Sequence, residues 1–222
     1  MFELALAEGI TASFQRFPAP DGGVLAHRPP SSGALPLCGT GDGTFICGLP
    51  DGEACWIGLT ARPGAVPVLV GVLAELAGGE AMDVLAGRPV PDAGAAGSSL
   101  VAVEPHEWLS VPPSAQVAGI HRHDGGWWAL CRQPAVAGGA GAEASAQAPA
   151  VARLHVVVCP EPDPAPGRRG AAVAPGTGHA GQDADGNRRL IIDLAGELEF
   201  EEACGESIPP PSKTIYGGWR LP

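Results

Sequence analysis

The sequence predicts an α+β fold that is mainly β: an antiparallel meander of hairpins with one buried helix and long loops rich in Ala, Gly and Pro. Two observations lead to this prediction. Connections along much of the chain are too short for parallel crossovers. Asp-Gly dipeptides recur, each followed by a strand-like run, and Asp-Gly favours turns because Gly adopts positive φ without steric cost. These dipeptides are Asp21-Gly22, Asp42-Gly43, Asp51-Gly52, Asp124-Gly125 and Asp185-Gly186.

The first third of the chain, residues 1–61, has the pattern of a meander. Residues 10–17 alternate partly between apolar and polar side chains, which is the period of a half-buried strand, and the pattern stops at Pro18. Residues 44–47 and 54–59 are strand-like runs that follow turns in the same way. Because the connections are short, we expect these strands to pair antiparallel.

Residues 66–77 carry the clearest helical signal. Pro67 suits the first turn of a helix, where its missing N–H is not needed, and Gly78-Gly79 supplies a left-handed stop. The segment is apolar nearly all round, so we predict a helix that is largely buried against the sheet. A shorter helix is predicted over residues 80–86.

The second half of the chain alternates strand-like runs with linkers. A hairpin is predicted over residues 117–132, with its turn at an Asp-Gly dipeptide. Residues 154–159 form a run that is apolar except for His155, which is typical of a strand buried on both faces. Residues 189–193 and 196–201 are predicted as further strands, the second with three glutamates on one solvated face.

These patterns indicate one folded unit. We predict a single β-rich domain over residues 1–206, with flexible insertions at about 134–150 and 160–187, and a Pro-rich aromatic tail over residues 207–222. Both insertions consist largely of Ala, Gly, Pro and polar residues, and loops of this length are usually functional or mobile. A separate C-terminal domain is disfavoured, because two or three strands alone cannot build a core.

Charge argues against two classes of partner. The chain carries 13 Lys and Arg against 24 Asp and Glu, a formal net charge of −11, which repels nucleic acids and anionic membranes. The N-terminus lacks the basic region of a signal peptide, and the longest apolar run, residues 66–77, is too short to cross a bilayer. We therefore expect a bacterial cytoplasmic protein with no nucleic-acid or membrane partner.

His121 and His123 form the sharpest metal-like signal. Residues two apart on a strand share a face, so both imidazoles could meet one transition-metal ion, with Asp124 or His155 among the further ligands. The competing interpretation is the solvent-exposed face of a strand entering a tight turn, and we prefer it. No other cofactor is predicted.

Four aromatic residues are binding candidates. Trp127 and Trp128 are adjacent on a strand and must point to opposite faces, so one is expected in the core and the other either covered or exposed as a contact. The tail begins with prolines, which disfavour a helix and a central strand, and carries Tyr216 and Trp219. These aromatic residues either dock back on this chain or insert into a partner.

The sequence contains no coherent catalytic constellation. It has no Gly-x-Ser-x-Gly elbow, and its six cysteines form no Cys-x-x-Cys pair and are expected to be small buried hydrophobic residues. We therefore expect a non-catalytic accessory or subunit protein that binds another protein or peptide, or its own copies, with the tail as a docking segment. The alternatives are a small metal-dependent β-barrel enzyme using His121 and His123, and a small-molecule sensor.

Overall fold

The computed structural model describes residues 1–41, 43–91, 100, 103–132, 148–161 and 187–212. Within this part the chain forms fifteen strands and one α-helix. In chain order they are β1 (Leu4–Ala7), β2 (Ile10–Pro18), β3 (Val24–Leu25), β4 (Leu37–Gly39), β5 (Thr44–Gly48), β6 (Glu53–Ala61), β7 (Val68–Leu76), β8 (Ala81–Asp83), β9 (Arg88–Pro89), β10 (Leu109–Val111), β11 (Ala115–Val117), β12 (Ile120–His121), β13 (Trp127–Trp128), β14 (Val151–Pro160), β15 (Arg188–Ala195) and α1 (Glu197–Cys204).

The strands form three sheets. The first has the order β1-β2-β6-β11, and the largest has the order β4-β5-β15-β14-β7-β8-β9, with β10 also paired to β7. The third is β12-β13-β3. The pairings described between these strands are antiparallel, except that β5 runs parallel to β15. The predicted class, α+β and mainly β with antiparallel sheets, is confirmed.

Among the described residues, Asp51-Gly52 and Asp124-Gly125 lie in turns as the sequence predicts, Asp21-Gly22 lies in a single 3-10 turn (Asp21–Gly23), and Gly43 lies in a bend. Strands β3, β5, β6 and β13 each begin shortly after one of these dipeptides. The glycines of these four dipeptides have positive φ, the conformation that disfavours other residues; they are Gly22 (φ 69°), Gly43 (φ 84°), Gly52 (φ 76°) and Gly125 (φ 101°). Asp42 and the whole of Asp185-Gly186 lie outside the described residues.

The two larger sheets share one hydrophobic core. Alternate residues of their strands point into it, as expected for sheets packed face to face. The core members from β2, β14 and β15 are Ile10, Ala12, Phe14, Val151, Leu154, Val156, Val158, Leu190, Ile192 and Leu194.

Residues 66–77 do not form the predicted buried helix; most of them belong to strand β7. The prediction is wrong because this strand is buried on both faces. Val72 points into the main core, whereas its neighbour Leu73 packs in a separate cluster with Val90 on the opposite face. Both faces therefore select apolar residues, and the alternation that reveals a half-buried strand disappears.

The predicted helix over residues 80–86 is also wrong, and the buried carboxylate of Asp83 explains the observed turn. Asp83 ends β8 and is fully buried. Its two oxygens accept four backbone N–H groups, two from the following turn and two from a distant loop, which satisfies donors without a helix. The donors are Leu85 (3.0 Å), Ala86 (2.9 Å), His106 (2.5 Å) and Glu107 (3.3 Å).

The helix of the described region is α1, which replaces the predicted strand over residues 196–201. The Glu199 carboxylate reaches back to accept the Gly196 N–H at 2.8 Å, a contact that satisfies a donor at the helix N-terminus. Phe200 is buried while Leu198 is exposed, although alternation in a strand would place both on one face. The alternating glutamates were therefore misleading, since local capping favours the helix.

The domain boundaries remain a prediction. Most of the two expected insertions, residues 133–147 and 162–186, lies outside the described residues, as do residues 213–222 of the tail. Within the described part, no helix is long and apolar enough to cross a membrane.

Candidate functional site

The hairpin of β12 and β13 brings together most of the predicted site residues. Its register pairs Ile120 with Trp128 and His121 with Trp127. Asp124-Gly125 lies in the turn between the two strands, and β13 pairs on its other side with β3. The hairpin is thereby fixed as the edge of a small sheet rather than as a free loop.

Trp127 and Trp128 point to opposite faces, as strand geometry requires. Trp128 packs against the main core, and Trp127 packs against a second cluster that contains Leu25 and Trp56. Both side chains are half-buried, so part of each remains accessible to solvent. Anchored aromatic rings of this kind can contact a partner at little cost in side-chain entropy.

Arg122 lies between the two predicted histidine ligands and is held by two neighbours. Its guanidinium carbon is 5.6 Å from the centroid of the Trp128 ring, within the range of a cation–π contact. Its Nε donates to Asp124 Oδ1 at 2.8 Å, and its Nη2 donates to the other carboxylate oxygen. These hydrogen bonds are the main reason that the pKa of the exposed Asp124 is lowered.

His121 and His123 are both exposed. His121 lies on β12, and its backbone N–H donates to Val84 O at 2.8 Å, whereas His123 lies in the turn. His155 lies on β14 in the largest sheet, and Asp124 is engaged by an arginine. In the described part of the chain, no three His, Cys, Asp or Glu side chains group closely enough to hold a metal ion.

The start of the tail packs on its own domain. Ile208 is half-buried, and a Cβ placed on Gly48 would come within 2.7 Å of its side chain. Pro209 O accepts a hydrogen bond from Arg16 Nη1 at 2.6 Å, and the N–H of Ser212 donates to Ser32 O at 2.7 Å. The predicted binding residues of the tail, Tyr216 and Trp219, lie outside the described residues.

The contact that fixes the tail depends on a buried ion pair that the sequence analysis missed. Arg16 is only 4% exposed. Its Nε and Nη2 donate to the two carboxylate oxygens of Glu53, each at 2.6 Å, in the bidentate geometry of a strong charge-assisted pair. The sequence did carry a signal for this pair. Arg16 lies an even number of residues after Ile10 and Phe14 on β2, so its side chain points to the same buried side as theirs.

A second polar cluster lies on the face of the largest sheet that points away from the core. Arg153 of β14 stands opposite Glu75 of β7 and Asp193 of β15. It donates to Asp193 through Nε, and its Nη1 is 3.8 Å from Glu75 Oε2. His155 Nε2 is 3.6 Å from the same Glu75 oxygen. Burial first, and the charge of Arg189 second, lower the pKa of His155, which favours its neutral form.

The prediction that the six cysteines are buried holds for Cys47, Cys55 and Cys131 and is wrong for the other three, Cys38, Cys159 and Cys204, which are half-buried. Burial, with a smaller contribution from Cys131, raises the pKa of Cys55 to about 12. Such a thiol remains protonated at neutral pH and is a poor nucleophile.

Comparison of the chain with family models, curated proteins and solved structures gives no match.

Proposed function

We propose that this protein is a non-catalytic accessory or subunit protein that binds another protein or a peptide. The observation that carries the proposal is the hairpin surface of β12 and β13, which presents His121 and Trp127 on one face and Arg122 and Trp128 on the other, with His123 in the turn. Trp and Arg are enriched among the residues that dominate binding energies at protein interfaces. Here the arginine is stacked on one tryptophan and held by a carboxylate, so it is ordered before a partner arrives.

The tail is the second element of the proposal. Its first residues are tied to the domain at Pro209 and Ser212, so the chain that carries Tyr216 and Trp219 starts from a fixed point. A short tether of this kind raises the effective concentration of a docking segment near the body of the protein. We propose a cytoplasmic location, and in line with the net charge of −11 we propose no nucleic-acid or membrane partner.

Quantitative co-purification of the tagged full chain from its native cells tests the proposal. One variant, His121→Ala with Arg122→Ala, removes polar contacts of the hairpin surface, and another ends the chain after Ser212. The matched control is Arg62→Ala, because Arg62 is an exposed arginine outside the hairpin. Melting temperatures of all variants are measured in parallel.

A partner that is lost with either variant, while its melting temperature and the Arg62→Ala result stay unchanged, supports the proposal. Identical sets of co-purified proteins for the wild type and both variants would contradict it. Loss of a partner only in variants that also melt at lower temperature would reassign the hairpin and the tail to structural roles.

A further inference from the structure

Two of the cysteines face each other across the contact between the helix and the largest sheet. Cys38 of β4 stands opposite Ile46 of β5, so both side chains lie on the face opposite to that of the buried Cys47. Helix α1 covers this face, because a Cβ placed on Gly48 would lie 3.0 Å from the ring of Phe200. The register of the sheet and the packing of α1 therefore direct Cys38 towards the helix.

Cys204 is the last residue of α1, and its thiol is in hydrogen-bonding contact with the thiol of Cys38. Both cysteines are free and half-buried, so a small oxidant can reach them. This distinguishes them from Cys47 and Cys55, which are fully buried in the core. Contact between the two thiols brings the sulfur atoms close together, which is the first requirement for an S–S bond.

We propose that Cys38 and Cys204 are a redox modification site, forming a reversible disulfide that locks the end of α1 to β4. The oxidant is a low-molecular-weight disulfide of the glutathione class. The Cys38 thiolate attacks one sulfur of that disulfide, forming a mixed disulfide and releasing one thiolate. Cys204 then loses its proton and attacks the Cys38 sulfur, which forms the internal bond and expels the second thiolate. Two protein thiols are oxidised and one external disulfide is reduced to two thiols.

The order of the two steps follows from the environment of Cys204. Burial, and then its hydrogen bond with Cys38, raise the pKa of the Cys204 thiol to about 12. A thiol with so high a pKa is rarely the first attacking group. Cys204 is therefore the resolving thiol, and it acts only once Cys38 carries a good leaving group.

The disulfide would act on the part of the chain that leads into the tail. Cys204 is followed by the segment in which Ile208 packs near Gly48 and Phe200, so an added covalent bond fixes that segment close to β5. The bond would also close a very long loop of the unfolded chain, which is the situation in which a disulfide stabilises most.

Equilibration of the full chain in glutathione buffers of graded potential tests the site. After acid quenching and alkylation, mass spectrometry of an unreduced digest is expected to show one linked pair, Cys38 with Cys204, and a loss of two free thiols that dithiothreitol reverses. Cys38→Ser and Cys204→Ser should each abolish this pair, and Cys159→Ser, at another half-buried cysteine, should leave it unchanged.

The melting temperature provides a second readout. The oxidised protein is expected to melt about 5–10 °C above the reduced protein, with no such difference in Cys38→Ser. The proposal is overturned if the pair stays reduced in the most oxidising buffer, if the dominant link joins other cysteines or two chains, or if oxidation leaves the melting temperature unchanged or lowers it.

Discussion

Replacement of Arg16 by Met tests the view that one buried ion pair joins the first sheet to the tail. Methionine keeps much of the length and apolar stem of arginine but removes the guanidinium. That group donates to both oxygens of Glu53 and to the carbonyl oxygen of Pro209, all at 2.6 Å. The substitution therefore removes three hydrogen bonds and leaves the Glu53 carboxylate without its counter-charge.

The size of the effect follows from burial. The side chains of Arg16 and Glu53 are 5% and 19% exposed, so this is a largely buried pair, and removal of one partner from such a pair costs about 3–5 kcal/mol. Because water still reaches part of Glu53, we expect Arg16→Met to lower the free energy of unfolding by about 3 kcal/mol. Arg153 and Asp193 form a more exposed pair for comparison, with side chains 41% and 35% exposed. Arg153→Met should cost less than about 1 kcal/mol.

Urea denaturation of Arg16→Met, Glu53→Leu and the double variant measures the coupling between the two residues. We expect a coupling energy of at least about 1.5 kcal/mol. Each single variant leaves one charged side chain buried without its partner, whereas the double variant removes both charges. Hydrogen exchange of the Ser212 amide should also accelerate in Arg16→Met, since the nearby tail loses its contact at Pro209. A coupling energy below about 0.5 kcal/mol together with unchanged Ser212 exchange would refute this account.

Three further predictions concern stability. Asp83→Asn places an NH₂ group among four backbone donors, and urea denaturation should show a loss of about 2–4 kcal/mol. Burial lowers the pKa of His155, so the folded chain binds a proton at this side chain less readily than the unfolded chain does. The melting temperature should therefore fall as the pH falls below about 6.5, and it should fall less in His155→Leu. Gly125→Ala should lower the free energy of unfolding by about 1–2 kcal/mol, because its φ is positive and nothing else obstructs a Cβ. Gly126→Ala should lower it more, because the added Cβ would also lie 2.3 Å from a backbone oxygen of β3. Equal losses in urea denaturation would contradict this reasoning.

The parts of the fold that the sequence predicted are those with local causes. The turn at Asp51-Gly52 needs only its own residues, and so does the turn of the hairpin at Asp124-Gly125. The alternation of residues 10–17 needs only one buried face, and β2 follows it. Such features do not depend on which distant strand becomes the neighbour.

The missed helix α1 has a local cause, the capping contact of Glu199 with Gly196, whereas the wrong prediction for residues 66–77 has a distant one. Strand β7 resembles a buried helix in sequence because a second cluster around Leu73 covers its other face, and the residues that cover it come from later in the chain. The candidate site is limited in the same way. The stacking of Arg122 on Trp128 follows from one hairpin and was within reach of sequence reasoning, whereas the contact between Cys38 and Cys204 joins segments from opposite ends of the chain.

Arg16 shows how a distant contact can still leave a signal in the sequence. It occupies the phase of β2 that otherwise points into the core, where an unpaired charge would be too costly to bury. A charged residue at a buried strand position therefore requires a partner of opposite charge. The sequence does not show that this partner is Glu53, which lies 37 residues away. The same reasoning applies to His155, which interrupts a run of apolar residues on β14 and lies beside Glu75. In this chain, a polar residue at a strand position that is otherwise buried thus indicated a tertiary contact better than the exposed pair of His121 and His123 did.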